Sequence, residues 1–107
     1  MVSEVTHSSK LNWEPVVVDG VAIDGIRTKG LRFDVENKRP LALLITLDAG
    51  ASYPAHNFPG GDELFMLEGE VNYGKFVLKQ GDYLLTPPDA NLLVSSKTGG
   101  TMFYRMK

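Results

Sequence analysis

Every apolar run in this chain is short, and almost every one ends at a glycine or at a turn containing Asp, Asn or Pro. Val16 to Val18 stops at Asp19-Gly20, Val21 to Ile23 at Asp24-Gly25, and Ile26 to Thr28 at Lys29-Gly30. Leu31 to Val35 leads into the polar turn 36–40. Leu41 to Leu47, the most strand-like segment, stops at Asp48-Ala49-Gly50. Further along, Val71 to Leu78 is broken at Tyr73-Gly74, Tyr83 to Thr86 is stopped by Pro87-Pro88, and Leu92 to Ser95 and Met102 to Met106 complete the chain. Proline neither donates to a ladder nor continues a helix, and glycine supplies the φ > 0 that tight turns need. No window keeps apolar residues at i, i+3, i+4 and i+7, so helix is close to absent. Short strands at this spacing predict an all-β sandwich or barrel, mostly antiparallel.

The 107 residues suffice for one domain with its own core. Residues 1–12 are polar and aperiodic and read as an N-terminal arm; the packed domain runs from Trp13 to Lys107. Eleven basic and 13 acidic residues are spread through the chain without a basic run, which argues against nucleic acid as a partner. The absence of cysteine excludes disulfides, thiolate ligands and a cysteine nucleophile. The longest apolar run is far too short to span a bilayer, and the first residues lack the pattern of a secretory signal, so no membrane association and a cytoplasmic location are expected.

The densest chemistry lies between Gly50 and Gly69. Ser52 to Phe58 suits an extended strand, Pro59-Gly60-Gly61 a turn, and Asp62 to Glu70 a second strand covered on both faces. Read as a hairpin, this stretch places His56, Phe58, Asp62, Leu64 and Met66 on one interior face, because side chains alternate with period two.

The stretch resembles the first motif of the cupin family: Gly, five residues, His-x-His, three or four residues, Glu, six residues, Gly. Gly50, His56 and Gly69 match; Phe58 stands at the second histidine and Asp62 at the glutamate. The second motif, Gly, five residues, Pro-x-Gly, two residues, His, matches Gly81 and Pro87, with Asp89 at the glycine and Leu92 at the histidine. The nearest flavour is the cupin of zinc-dependent anti-sigma factors and related small dioxygenases, which share the tract at 59–63, Leu67-Glu68-Gly69 and Pro87-Pro88. The resemblance spans Leu31 to Tyr104 and implies a single-domain, jelly-roll β-barrel.

The same resemblance implies His56 and Asp62 as catalytic or metal-binding residues. Phe58, Leu64, Met66, Leu92, Met102 and Tyr104 are then candidates for the wall of a ligand pocket. A phenyl ring and an isobutyl group donate no electron pair, so the expected cofactor is none, or a weakly bound divalent metal. The leading expectation is a small-molecule-binding cupin with an impaired metal site. The alternatives are a metal-free isomerase, epimerase or cyclase with His56 as general base, and a metal-dependent dioxygenase-like enzyme. A homodimer is expected from family habit and from Phe65 and Leu67, which point outward and need cover.

Overall fold

The computed structural model describes residues 2–58, 61–88 and 90–106, with the backbone alone for 54–58 and 90–91. Among the described residues there are nine strands and one short 3-10 turn, Ser8–Lys10. The strands are β1 (Glu14–Val18), β2 (Val21–Asp34), β3 (Arg39–Leu47), β4 (Ser52–Phe58), β5 (Asp62–Tyr73), β6 (Phe76–Lys79), β7 (Tyr83–Thr86), β8 (Ala90–Ser95) and β9 (Gly100–Met106). All pairs are antiparallel, in the order β1-β2-β3-β9-β5-β8-β4, with β6 and β7 also on β5. The fold is a jelly-roll barrel, and no described helix is long and apolar enough to cross a membrane.

The first turn forms as its sequence dictates. Asp19 and Gly20 both take positive φ, 51° and 80°, and join Val18 to its partner Val21 in a two-residue hairpin. The next two expected breaks do not occur. Gly25 and Gly30 lie inside one 14-residue strand, β2, because pairing with β3 from Ile26–Leu47 to Asp34–Arg39 overrides the local turn signal. The glycines instead mark places where the strand bends: Gly25 takes φ 78°, and the β2–β3 register shifts just after Gly30. The arm is laid against this strand, with Lys29 Nζ donating to the Ser8 carbonyl at 2.9 Å and sitting 4.6 Å above the Trp13 ring.

The expected hairpin of β4 on β5 is also corrected. β4 pairs with β8, whereas β5 pairs with β9 and β7 in its first half, so the two successive strands enter different sheets. From Asp62 to Phe65 both edges of β5 are taken, by β7 on one side and β9 on the other, which leaves no edge there for β4.

Strand β5 carries the architecture. Its burial alternates at Asp62, Leu64 and Met66, then resumes at Val71 and Tyr73, one residue out of phase. The register with β9 slips between Met66 and Glu68, so an extra residue there reverses the inward parity. After Gly69, its last partner position on β9, β5 leaves that sheet and pairs with β6 and β8, closing one sheet onto the other. Gly69 takes φ 74° at this corner, and a β-carbon there would run into the Gly99 carbonyl. Ser96, buried, fixes the same corner by donating to the Glu70 carbonyl at 2.5 Å and accepting from Gly99 N–H at 2.8 Å. Gly69→Ala therefore combines a left-handed backbone with a backbone clash, and a loss of about 2–4 kcal/mol is expected. Urea denaturation checks it; a loss below about 0.5 kcal/mol would remove the corner from this account.

Candidate functional site in the barrel interior

The inward residues of the main sheet form rows set by register. Thr28, Ile45, Met102 and Met66 are successive partners across β2, β3, β9 and β5; Leu43, Tyr104, Leu64 and Leu84 form the next row. One row further, Met106 pairs with Asp62, which pairs with Thr86. Tyr104 is thus diagonal to Asp62 on adjacent strands, within reach for a long side chain. Its hydroxyl donates to Asp62 Oδ2 at 2.5 Å. Asp62 is only 4% exposed, a position a carboxylate takes only when it is well hydrogen-bonded. Its backbone is held by the buried Thr86 hydroxyl, which accepts from Asp62 N–H at 3.0 Å and contacts its carbonyl at 3.2 Å.

The opposite sheet supplies the third member. Tyr73, fully buried at the far end of β5, brings its hydroxyl to 3.2 Å from that of Tyr104. Because of the parity reversal at the corner, β5 delivers both Asp62 and Tyr73 to the interior, although in an unbroken strand of 12 residues its two ends would lie on opposite faces. Burial pushes the Tyr104 phenol far above its ordinary value of 10.0, and the hydrogen bonds to Asp62 and Tyr73 add to the rise. Tyr73 is raised as well, chiefly by burial.

Beside this chain lies a cavity of about 240 Å³. Its polar lining consists of Tyr73, Tyr104, Tyr53 and Thr28; the rest is apolar, from Val16 on β1 through Leu43 and Ile45 on β3 to Val94, Met102 and Met106. No charged side chain lines it among the described residues. Burial raises the Tyr53 phenol too.

The residues singled out in the sequence fall in four places. Met102 and Tyr104 line the cavity. Leu64 and Met66 are buried in the core beside it without lining it, and Leu92 is half-buried against that core. Asp62 stands behind Tyr104. His56 and Phe58 are placed by backbone alone, with His56 the direct partner of Leu92 and Phe58 of Ala90; their side chains lie outside the described residues. Sequence reasoning offered Tyr104 as a pocket wall, gave Tyr73 no site role, and missed Tyr53 and the walls from β1 to β3. Gly69 inside a strand pattern was the available signal, since such a glycine marks a bulge and a bulge would have turned Tyr73 inward.

Leu92, the partner of His56, is hydrocarbon, and Asp62 Oδ2 is engaged by a phenol. Among the described residues no group of three or more His, Cys, Asp or Glu side chains is positioned to hold a metal.

The phenols give the site a pH signature. In the folded chain Tyr73 and Tyr104 keep their protons above 10.0, where unfolded tyrosines ionise. The unfolded chain then binds fewer protons, so stability is complete below about pH 10 and falls as pH rises beyond it, by at most about 1.4 kcal/mol per pH unit for each phenol. Tyr104→Phe should cost about 1.5–3 kcal/mol at pH 7, the size of a hydrogen bond to a charged group. The double change Tyr73→Phe, Tyr104→Phe should flatten the decline between pH 10 and 11. Urea midpoints across this range read the slope; equal slopes in parent and double variant would contradict the placement.

The family model described as the ChrR cupin-like domain matches residues 2–106. Among curated proteins, none matches the sequence significantly. Several solved structures share the fold. An RmlC-like cupin from Shewanella frigidimarina superposes with a TM-score of 0.74 at 22% identity, covering 96% of this chain and 88% of that one. The polyketide cyclase RemF from Streptomyces resistomycificus gives 0.77 at 12%, covering 96% and 78%. An acetylacetone dioxygenase from Acinetobacter johnsonii gives 0.82 at 16%, covering 99% and 74%. At these identities the likeness establishes the fold alone. With the family match over nearly its whole length, the chain belongs to the cupin superfamily, in the ChrR cupin-like family.

Proposed function

We propose that this cupin binds a small organic molecule in its barrel cavity and does so without a resident metal. The observation that carries the reading is the cavity itself, an apolar space lined also by three tyrosines and a threonine. Binding sites have this make-up: apolar walls for affinity and a few fixed polar groups for orientation. The volume lies between the roughly 150 Å³ that holds benzene and the roughly 300 Å³ at which drug-sized sites begin, so a one- or two-ring molecule is the right size. Held far above 10.0, the Tyr104 phenol stays protonated near neutral pH, so it is no general base there and supports the reading as a hydrogen-bonding group.

Native mass spectrometry of protein purified without a histidine tag tests both halves of this reading. A bound organic mass with less than stoichiometric zinc, iron, manganese or nickel is expected. The change Phe58→His with Leu92→His should create divalent-metal affinity, because Leu92 is the direct partner of His56 and Phe58 lies two positions along β4. One tightly held ion per parent chain would overturn the metal-free reading.

We also propose that a second copy covers the outer face of the main sheet. Phe65 is the partner of Tyr83 and of Phe103, and Glu63 of Leu85 and Arg105, so apolar residues form a continuous patch with one acid and one base. Phe65, Leu67, Tyr83 and Leu85 are between 42% and 57% exposed, an apolar area that favours cover. A two-fold axis through the patch would set the acid of each copy toward the base of the other, which makes the surface self-complementary. Sedimentation should show a dimer at micromolar concentration and a folded monomer for Phe65→Glu; a monomeric parent would refute it.

A further inference from the structure

We infer that the cavity is entered along the seam between β1 and β4, and that the N-terminal arm with the first half of β1 is the movable side of this entrance, latched by Lys29; this rests on the cavity being the binding site. β1 and β4 are the two ends of the strand order, and no ladder joins them among the described residues. Both strands contribute to the lining, β1 through Val16 and β4 through Tyr53. Val16, Tyr53 and Thr28 of β2 are half-buried, whereas Tyr73, Met102 and Tyr104 behind them are buried. The cavity therefore reaches solvent along this seam.

Of the two sides, β1 is the weakly held one. It pairs with β2 alone, and its ladder is interrupted at Val16, the residue it gives to the cavity. On the turn side, Val17–Ala22 and Val18–Val21 are anchored by the Asp19-Gly20 hairpin. On the arm side the pairs are Glu14–Thr28 and Pro15–Arg27, and Thr28 is itself part of the lining. No residue from 2 to 18 is buried, so parting this stretch from β2 uncovers little apolar surface, the condition for opening far below the cost of global unfolding. The arm continues along β2, where Lys29 Nζ both donates to the Ser8 carbonyl at 2.9 Å and sits 4.6 Å above the Trp13 ring. Thr6 Oγ1 adds a contact to the Leu31 carbonyl at 3.5 Å. Lifting residues 2–16 thus breaks two strand pairs and the lysine's grip, widens the mouth at Val16 and Thr28, and leaves the buried core of β2, β3 and β9 in place.

A cross-link across the moving pair tests the entrance. Pro15 and Arg27 are direct partners on antiparallel strands, a spacing that a disulfide spans, and the chain has no other cysteine to compete. In full-length Pro15→Cys, Arg27→Cys protein, stopped-flow mixing with 2-naphthol, followed by its own emission, should show association at least about tenfold slower when oxidised than when reduced, with reductant restoring the rate. Lys29→Met, which keeps the length of the stem but loses the latch, should take up the probe about threefold faster or more, the population gain from losing one hydrogen bond. Equal rates in the oxidised and reduced protein would overturn the entrance while leaving the cavity as a binding site. Should the cross-link not form, Lys29→Met decides alone, and a rate unchanged from the parent overturns the inference. No binding of 2-naphthol to any form would overturn the cavity reading and the entrance together.

Discussion

The barrel depends on how β5 turns its corner. Asp62 and Tyr73 begin and end this strand, and both point inward only because an extra residue between Met66 and Glu68 reverses the parity halfway. The same irregularity lets the strand leave the sheet of β9 and join β8, so one backbone feature makes both the closure of the barrel and its polar centre. Gly69 makes the corner possible, since its left-handed backbone runs against Gly99 with no room for a side chain. Once the corner is set, Tyr73 meets Tyr104 across the interior, and Tyr104 meets Asp62 along the diagonal of its own sheet.

A buried carboxylate needs a reason to be there, and in this protein it is answered by phenols. Where the family motif has four ligands converging on a cation, this chain has His56 and Asp62 with Phe58 and Leu92 in the remaining places. Each apolar replacement removes an electron pair and adds roughly 1.5–3 kcal/mol of burial when the side chain is covered. Asp62 keeps its place in the fold, and its charge is met by the hydroxyl of Tyr104, supported in turn by Tyr73. Among the described residues no charged side chain lines the cavity beside this chain.

The division between inner and outer faces extends the same logic. Residues facing the interior of β3, β5 and β9 are almost entirely apolar and buried, while the outer face of β5 and β7 leaves Phe65, Leu67, Tyr83 and Leu85 partly exposed. The cavity inside measures about 240 Å³, while the outer face carries both signs of charge at Glu63 and Arg105, 3.9 Å apart.

The all-β class, the jelly-roll type and the family were legible in the sequence, because turn chemistry is local and the motif glycines and prolines act through their own backbone angles. Asp19-Gly20 makes its hairpin with no help from the rest of the chain. Asp62 and Tyr104 could be named as candidates, and Met102 as a wall, from position alone. Pairing could not be read so directly. Gly25 and Gly30 carry turn signals yet lie within β2, since a strand already paired along β3 absorbs a glycine as a bend. β4 and β5 look like a hairpin in sequence but enter separate sheets, because partner choice is settled by which faces must be buried together. The contact that defines the site joins residues 31 positions apart, Tyr73 and Tyr104, on strands of opposite sheets. Sequence determined which residues could turn, alternate and be buried; only the tertiary structure decided which of them meet, because a one-residue slip in a strand changes every facing beyond it.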